Sequence, residues 1–318
     1  MTDFAVVIPL YNKGPHISRA LDSVLRQTFP PRQIFLIDDA STDNGLEIAS
    51  RYTDPRIRVL QRTTPGPGGY AARNLAILTA DADWIAFLDA DDAWLPGHLA
   101  SLHKVIVTDE HDDLACVFAG YTNVYADGRQ ASDRFSRRSD SQDSAHFHLD
   151  ELLAIWLDLG ECPIWTSAST FRRQALIESG LFPAGRCSRG GDKDLWLRVA
   201  YKHICASAPD RTAIYYRDSI NMVTRTSSTA GRHCLCETIA AMLNGAPLKS
   251  RRLLKRLFNQ EVFQHAMSTA KTDIVRRNSW HGFHWRTNPL RFLVLTILST
   301  RPGAYAAQSL LRAYTQLA

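Results

Sequence analysis

The sequence predicts an α/β fold: a mixed, mostly parallel sheet flanked by helices, followed by a helical C-terminal region. Three observations predict it. Apolar runs of strand length alternate with helically spaced Leu, Ile and Ala through the first 90 residues, as expected of a sheet with helices on both faces. Acidic residues gather just after two of those runs. Near residue 248 the composition turns to helix formers rich in Arg.

Phe4 to Ile8 is wholly apolar, which suits a strand buried on both faces, and Pro9 is expected to end it. Pro15 stands where a helix's first turn accepts it, and Ile17, Ala20, Leu21, Val24 and Leu25 continue at helical spacing. Gln33 to Ile37 reads as a second strand. It is closed by Asp38-Asp39-Ala40-Ser41-Thr42-Asp43, whose acids and hydroxyls suit a helix start. Ile57 to Leu60 is a third strand, Tyr70 to Thr79 a helix, and Trp84 to Leu88 a fourth strand. An amphipathic helix follows between Pro96 and Thr108, then a strand over Leu114 to Phe118.

Residues 127–146 are polar and aperiodic, a surface loop of the kind that lies over an enzyme's site. Strand character returns over Ile164 to Phe171, with a helix near Arg173 to Ser179. Gly190-Gly191-Asp192-Lys193-Asp194 enters another helix, and Ala206 to Tyr216 supplies edge-strand pieces. The domains are expected at 1–225 and 226–318.

The net charge of +5 conceals an asymmetry: residues 245–318 carry +10 and the remainder −5. Basic residues interleaved with Leu and Phe fit an interfacial helix on anionic lipid, or a packed helical subdomain with a solvated basic face. No nucleic-acid recognition motif accompanies the charge, so nucleic acid is not expected as a partner. The six cysteines have neither zinc-site spacing nor a disulfide framework, and reduced thiols are expected. Met1 to Phe4 lacks signal-peptide character, and no stretch approaches the ~18 apolar residues of a membrane span. The expected location is cytoplasmic, and the interfacial reading of the tail would place it at the inner face of the membrane.

The densest chemistry lies in Trp84 to Trp94, where a strand ends in Asp89-Ala90-Asp91-Asp92. Carboxylates crowded at a strand end repel one another unless a cation relieves them. An Asp-x-Asp pair suits Mg²⁺ or Mn²⁺, which takes one or two protein oxygens and leaves its other positions to water and phosphates. The site belongs beyond the carboxyl ends of the strands, where Asp38 and Asp39 also fall.

Val7 to Lys13, Ser23 to Thr28, Asp38 to Asp43, Ala72-Arg73-Asn74 and Phe87 to Asp92, in this order and spacing, resemble the inverting family 2 glycosyltransferases of the GT-A (Rossmann-like) fold. The resemblance extends more weakly to about residue 217 and does not cover the tail. It implies a nucleotide-sugar donor, with a UDP-sugar the expected type, and a glycan or lipid-linked acceptor of cell-surface assembly. Asp38 and Asp39 would then accept hydrogen bonds from base and ribose, with Pro9 and Tyr11 as the wall beside them. Arg73 would reach the nucleotide. Asp91 would bind the metal, and Asp89 the ribose or a metal-bound water.

The family's general base precedes a Leu-Trp-Leu-Arg helix, which assigns that role to Asp192 here, ahead of Asp194. Gly191 departs from the pattern, standing where the family usually has Glu. Arg217 or Arg225 would add a cation for the leaving group. The rival readings are a nucleotide-sugar-binding domain without catalysis and a sugar nucleotidyltransferase. The second lacks the Gly-rich, Lys- and Arg-containing loop expected straight after the first strand.

Overall fold

The computed structural model describes residues 2–138, 144–187, 189–219, 234–271, 273–306 and 308–309. They divide into two compact units. One comprises residues up to Leu152 together with Cys162–Thr226, the other Leu153–Glu161 and the residues from Ser227 onward.

The first unit is built on one mixed sheet. Strands β1 (Phe4–Leu10), β2 (Gln33–Asp38), β3 (Ile57–Gln61) and β4 (Trp84–Phe87) are parallel, in the order β3-β2-β1-β4. Helices α1 (Gly14–Leu25), α2 (Gly45–Ser50) and α3 (Tyr70–Thr79) connect them, as expected of parallel neighbours. Phe4, Val6, Ile8 and Leu36 are fully buried among Ile17, Leu21 and Val24 of α1. Pro9 does not end β1; the strand continues to Leu10, with Pro9 opposite Ile37. Strand β4 has already stopped opposite Val7, so no ladder partner on that side asks Pro9 for an amide.

Beyond β4 the sheet reverses direction through β9 (Ser169–Arg172), which lies antiparallel to β4 and to β6 (Leu114–Val124). Strand β10 (Ile204–Tyr216) runs parallel to β6, and the short β5 (Ala93–Trp94) and β8 (Ala145–Phe147) pair with it antiparallel. The expected edge pieces at 206–216 are therefore one long interior strand. Its ladder slips between Ser207 and Arg211, where exposed Asp210 and Arg211 interrupt the apolar run. Residues 127–146 are likewise more ordered than expected. They hold β7 (Gln130–Ser132), which pairs with β6, the short helix α5 (Arg134–Arg138) and the first residues of β8, while 139–143 lie outside the described residues.

Among the described residues, helices α4 (His98–Thr108), α7 (Arg173–Glu178) and α8 (Gly191–Ala200) also belong to this unit, and α6 (Leu149–Leu159) begins in it. Cys116 and Cys205 are buried thiols facing each other across β6 and β10. The expectation of reduced thiols fails at Cys187, which is disulfide-bonded.

The second unit is helical: α9 (Cys234–Met242), α10 (Leu248–Ala270) and α11 (Pro289–Leu298). Helix α10 buries Leu254, Leu257, Phe258 and Val262. Its buried Asn259 donates to the His284 carbonyl at 3.0 Å and accepts from the His284 amide at 2.9 Å, so neither amide group is left unmet. Asn288 caps α11, accepting from the Arg291 amide, and Pro289 occupies its first turn. Among the described residues no helix is long and apolar enough to cross a membrane. The Leu310-Leu311-Arg312 stretch of the expected basic helices lies outside the described residues.

Candidate functional site

The carboxyl ends of β1, β2 and β4 open on one side of the sheet, and the loops after them are laced together. The Asn12 carboxamide oxygen accepts from the Thr42 amide at 2.7 Å, and the Asp43 carboxylate accepts from the Gly14 and Gly45 amides at 2.8 and 3.0 Å. Asp43 thus serves α1 and α2 at once. Asn12 pays for this position with positive φ, 51°, a region Asn tolerates better than most side chains.

Asp38 and Asp39 end β2 as expected, and both are buried. Asp38 accepts from the Ser41 amide at 3.1 Å. Asp39 is held by the Arg62 guanidinium on one oxygen and by the Gly66 amide at 3.0 Å on the other. Its carboxylate therefore clasps the loop after β3. Pro9 is half-buried on β1, and Tyr11 beyond it is 48% exposed.

After β4, the crowded acids are kept apart by separate partners. Arg73 of α3 is buried; it donates to Asp89 and, at 2.7 Å, to the Gly68 carbonyl. Asp91 accepts from the Lys13 ammonium at 2.7 Å and from the Ser219 hydroxyl. Asp92 is 1% exposed and accepts from the Ser167 hydroxyl at 2.7 Å and the Tyr216 amide at 3.3 Å. Arg19 donates to the Asp91 carbonyl and stacks 3.4 Å over the Tyr216 ring.

These environments divide the acids. Burial, then the charges of Asp91 and Asp89, push Asp92 well above the ordinary carboxylate range. Burial also works to raise Asp91, but the Lys13 charge and the Lys13 and Ser219 hydrogen bonds outweigh it and hold Asp91 below the usual value. Asp92 is thus a buried acid, whereas Asp91 is a carboxylate facing a cation.

Carboxylate oxygens of Asp89, Asp91 and Asp92 lie within 4.8 Å of one another. A hard divalent cation fits this donor set, with Asp91 the residue whose charge is maintained and Asp92 committed to Ser167. The Lys13 ammonium already supplies positive charge at that carboxylate. A second grouping, Asp109, His111 and His146, lies at the other end of the sheet, before β6 and beside the start of β10.

Asp192 lies in the first turn of α8, half-buried, and adds to the repulsion felt by Asp89. The chain thus brings together two acids about 100 residues apart. Asp194 is different: fully buried, it is bound at 2.8 and 3.0 Å by Arg198, whose guanidinium also reaches the Ser179 and Leu181 carbonyls. That pair fixes α8 to the preceding loop.

Between the acids runs a single 3₁₀ turn, Thr166–Ala168, where the sequence suggested plain strand. Thr166 donates to Asp192 at 3.4 Å, and Ser167 donates to Asp92 and accepts from the Asp89 amide at 3.1 Å. Two consecutive hydroxyl residues therefore touch both halves of the site. Lys13, Arg19, Tyr70, Thr166, Ser167 and Ser219 escaped sequence reading. Lys13 alone carried a signal, a cation two residues beyond Tyr11 at a strand end. Arg217 donates to Asn123 at 2.8 Å and lies 4.2 Å over the Tyr215 ring, and Arg225 lies outside the described residues.

The model of the family described as Glycosyl transferase family 2 matches residues 5–180. The uncharacterized glycosyltransferase YibD of Escherichia coli (strain K12) is 36% identical over 114 residues, 35% of this chain and 33% of that protein. The succinoglycan biosynthesis protein ExoW of Rhizobium meliloti (strain 1021) is 37% identical over 127 residues, 38% of this chain and 39% of that one. The matches thus span about a third of the length of these curated relatives.

Among solved structures, S. aureus TarS 1-349 in complex with UDP-GlcNAc is similar with a TM-score of 0.72 at 18% identity, over 96% of this chain and 88% of that one. The mannosyltransferase PcManGT from Pyrobaculum calidifontis, in complex with GDP-Man and Mn²⁺, is similar with a TM-score of 0.55 at 16% identity, over 100% and 82%. These likenesses establish a shared GT-A architecture.

Proposed function

The chain belongs to glycosyl transferase family 2, and on that premise we propose that it transfers a sugar, with inversion, from a nucleoside diphosphate sugar of the UDP type to a hydroxyl of a cell-surface glycan or lipid-linked acceptor. The observation that carries this reading is the Thr166–Ser167 turn, which joins Asp192 to the acids after β4. Family membership and neighbours that bind nucleotide sugars support the donor class.

In this reading Asp38, Asp39, Pro9 and Tyr11 receive the nucleoside. Carboxylates only accept hydrogen bonds, and base N–H groups and ribose hydroxyls only need acceptors there. Binding would exchange the Arg62 contact on Asp39 for those donors. Asp89, steadied by Arg73, faces the ribose side, and Asp91 would hold Mg²⁺ or Mn²⁺. The metal supplies Lewis-acid charge for the leaving diphosphate.

Asp192 takes the proton of the acceptor hydroxyl as its oxygen bonds to the anomeric carbon. The bond to the diphosphate breaks with its electron pair on the phosphate oxygen. Lys13 and Arg217 contribute positive charge on the leaving-group side. A half-buried carboxylate suits the base role, because it must meet a substrate proton; buried Asp194, committed to Arg198, does not.

The reading extends to location. Leu290, Leu293 and Ile297 of α11 are 75%, 56% and 49% exposed, an apolar face in a strongly basic region and so suited to an anionic membrane surface on the cytoplasmic side. The test of the enzyme reading is release of nucleoside diphosphate and glycosylated acceptor from a panel of nucleotide sugars with Mn²⁺. Turnover with one donor class, lost in Asp192→Asn with donor binding retained, is expected. Pyrophosphate released from a nucleoside triphosphate and a sugar phosphate would replace it with a nucleotidyltransferase.

A further inference from the structure

Gly190 and Gly191 open α8 for different reasons. Gly190 has φ 73°, in the left-handed region that glycine enters without steric cost. Gly191 is not in that region; what it lacks is room. A Cβ there would stand 2.7 and 2.8 Å from ring atoms of Tyr70 and 2.8 Å from Pro183 Cγ. The Tyr70 ring also crowds Gly68, where a Cβ would stand 2.5 Å from it. The ring is 4% exposed and stacks on Phe182 at 5.8 Å. It fills a slot made by two glycines.

The phenol oxygen at the end of that slot accepts the Gly191 amide at 2.8 Å. Helix α8 has no side-chain cap at its N-cap residue, so this acceptor, supplied from α3, satisfies one of the amides that a helix start leaves unpaired. Asp192 follows immediately. Among the described residues, the hydrogen bond to its carboxylate is the long one from Thr166, at 3.4 Å. Its placement therefore depends on the backbone of the turn that Tyr70 holds. Arg73, one turn along α3 from Tyr70, donates to Asp89. A single helix turn thus touches both the donor-side acid and the start of α8.

We propose that Tyr70 is a positioning residue for Asp192, occupying the space of a side chain at 191 and fixing the first turn of α8 through its hydroxyl. This inference rests on the reading of Asp192 as the general base. It explains how the site accommodates glycine at that position: the side chain absent from 191 is replaced by one from α3.

Two measurements test it, and one does not involve catalysis. In thermal unfolding, Gly191→Ala lowers the melting temperature, and does so by much less in a Tyr70→Ala background. Equal losses in both backgrounds would overturn the spatial pairing. In steady-state kinetics, Tyr70→Phe keeps the ring but removes the acceptor oxygen. It is expected to lower kcat about tenfold or more, as small misplacements of a reacting group do, with donor KM within about twofold of wild type. Unchanged kcat, or a rise confined to KM, would overturn the positioning role. Asp192→Asn is measured alongside. Should it retain turnover while the unfolding coupling persists, the base assignment fails and the Tyr70–Gly191 pairing stands.

Discussion

The acids after β4 and the acid that opens α8 meet in one site but are built in opposite ways. Asp89, Asp91 and Asp92 are crowded, and each has its own partner: Arg73, Lys13 and Ser167. Asp192 stands apart: among the described residues its carboxylate has one long hydrogen bond, and its helix start is held by a tyrosine from another element. Crowded charges need dedicated partners because their repulsion grows steeply at short range in a partly buried site. In the proposed role of proton acceptor Asp192 would need the reverse, since each donor bound to it competes with the substrate. The difference teaches that the first group shares a crowded space by dividing into a charged Asp91 and a neutral Asp92, whereas Asp192 is left open to a group from outside.

The largest effect expected from this contrast is on turnover. Asp192→Asn should lower kcat by about 10²–10⁴, the usual range for removing a general base, with little change in melting temperature. Wild-type turnover in that variant would erase the distinction between the two regions. Asp91→Asn should abolish stimulation by Mn²⁺ and lower kcat comparably, whereas Asp194→Asn should show its main effect in unfolding. That carboxylate is buried and paired to Arg198, and breaking such a pair costs about 3–5 kcal/mol.

Smaller, but more telling about construction, is Ser167→Ala. It removes the donor to a fully buried Asp92 and the acceptor of the Asp89 amide. We expect a loss of about 1–3 kcal/mol in denaturant unfolding. A loss below about 0.5 kcal/mol would mean that Ser167 merely lies near both groups.

A separate effect, read in pH rather than in turnover, is a background that must be removed before acid unfolding is ascribed to the carboxylates. His98 is fully buried, stacked on Trp94 at 4.5 Å, with Nδ1 2.7 Å from the Thr212 hydroxyl. Burial depresses its pKa to about 3. The unfolded chain binds this proton at about pH 6.5 and the folded chain does not, so stability is complete above about 6.5. It falls as pH drops toward 3, by about 1.4 kcal/mol per pH unit across that window. His98→Gln should flatten the stability curve there; an unchanged slope would show that other groups set it. On α11, Leu293→Ser with Ile297→Ser should weaken sedimentation with anionic vesicles, and undiminished binding would refute the membrane face.

The elements were legible where burial is continuous. Phe4 to Ile8, Gln33 to Ile37 and Tyr70 to Thr79 read as they fold because a two-sided strand must be apolar throughout and a covering helix must repeat. The long β10 was not legible, because exposed Asp210 and Arg211 break its pattern where the ladder slips. Within the site, acids at strand ends stood out against their apolar strands. Thr166 and Ser167 did not, since small hydroxyl residues occur everywhere and their partners lie 26 and 75 residues away. Tyr70 was hidden in the same way. Nothing at 70 says that its hydroxyl meets an amide at 191, although the unexpected Gly191 marked the place where something else had to fill the space.

The turn at Thr166–Ala168 acts as a calliper. Its two jaws are neighbouring side chains on one peptide unit, so the gap between Asp192 and the acids after β4 is tied to a length that the backbone cannot stretch. Lengthening a surface loop can widen the entrance for a different sugar or acceptor without moving either jaw. Selection for new partners could therefore reshape surface loops while that separation stays constant.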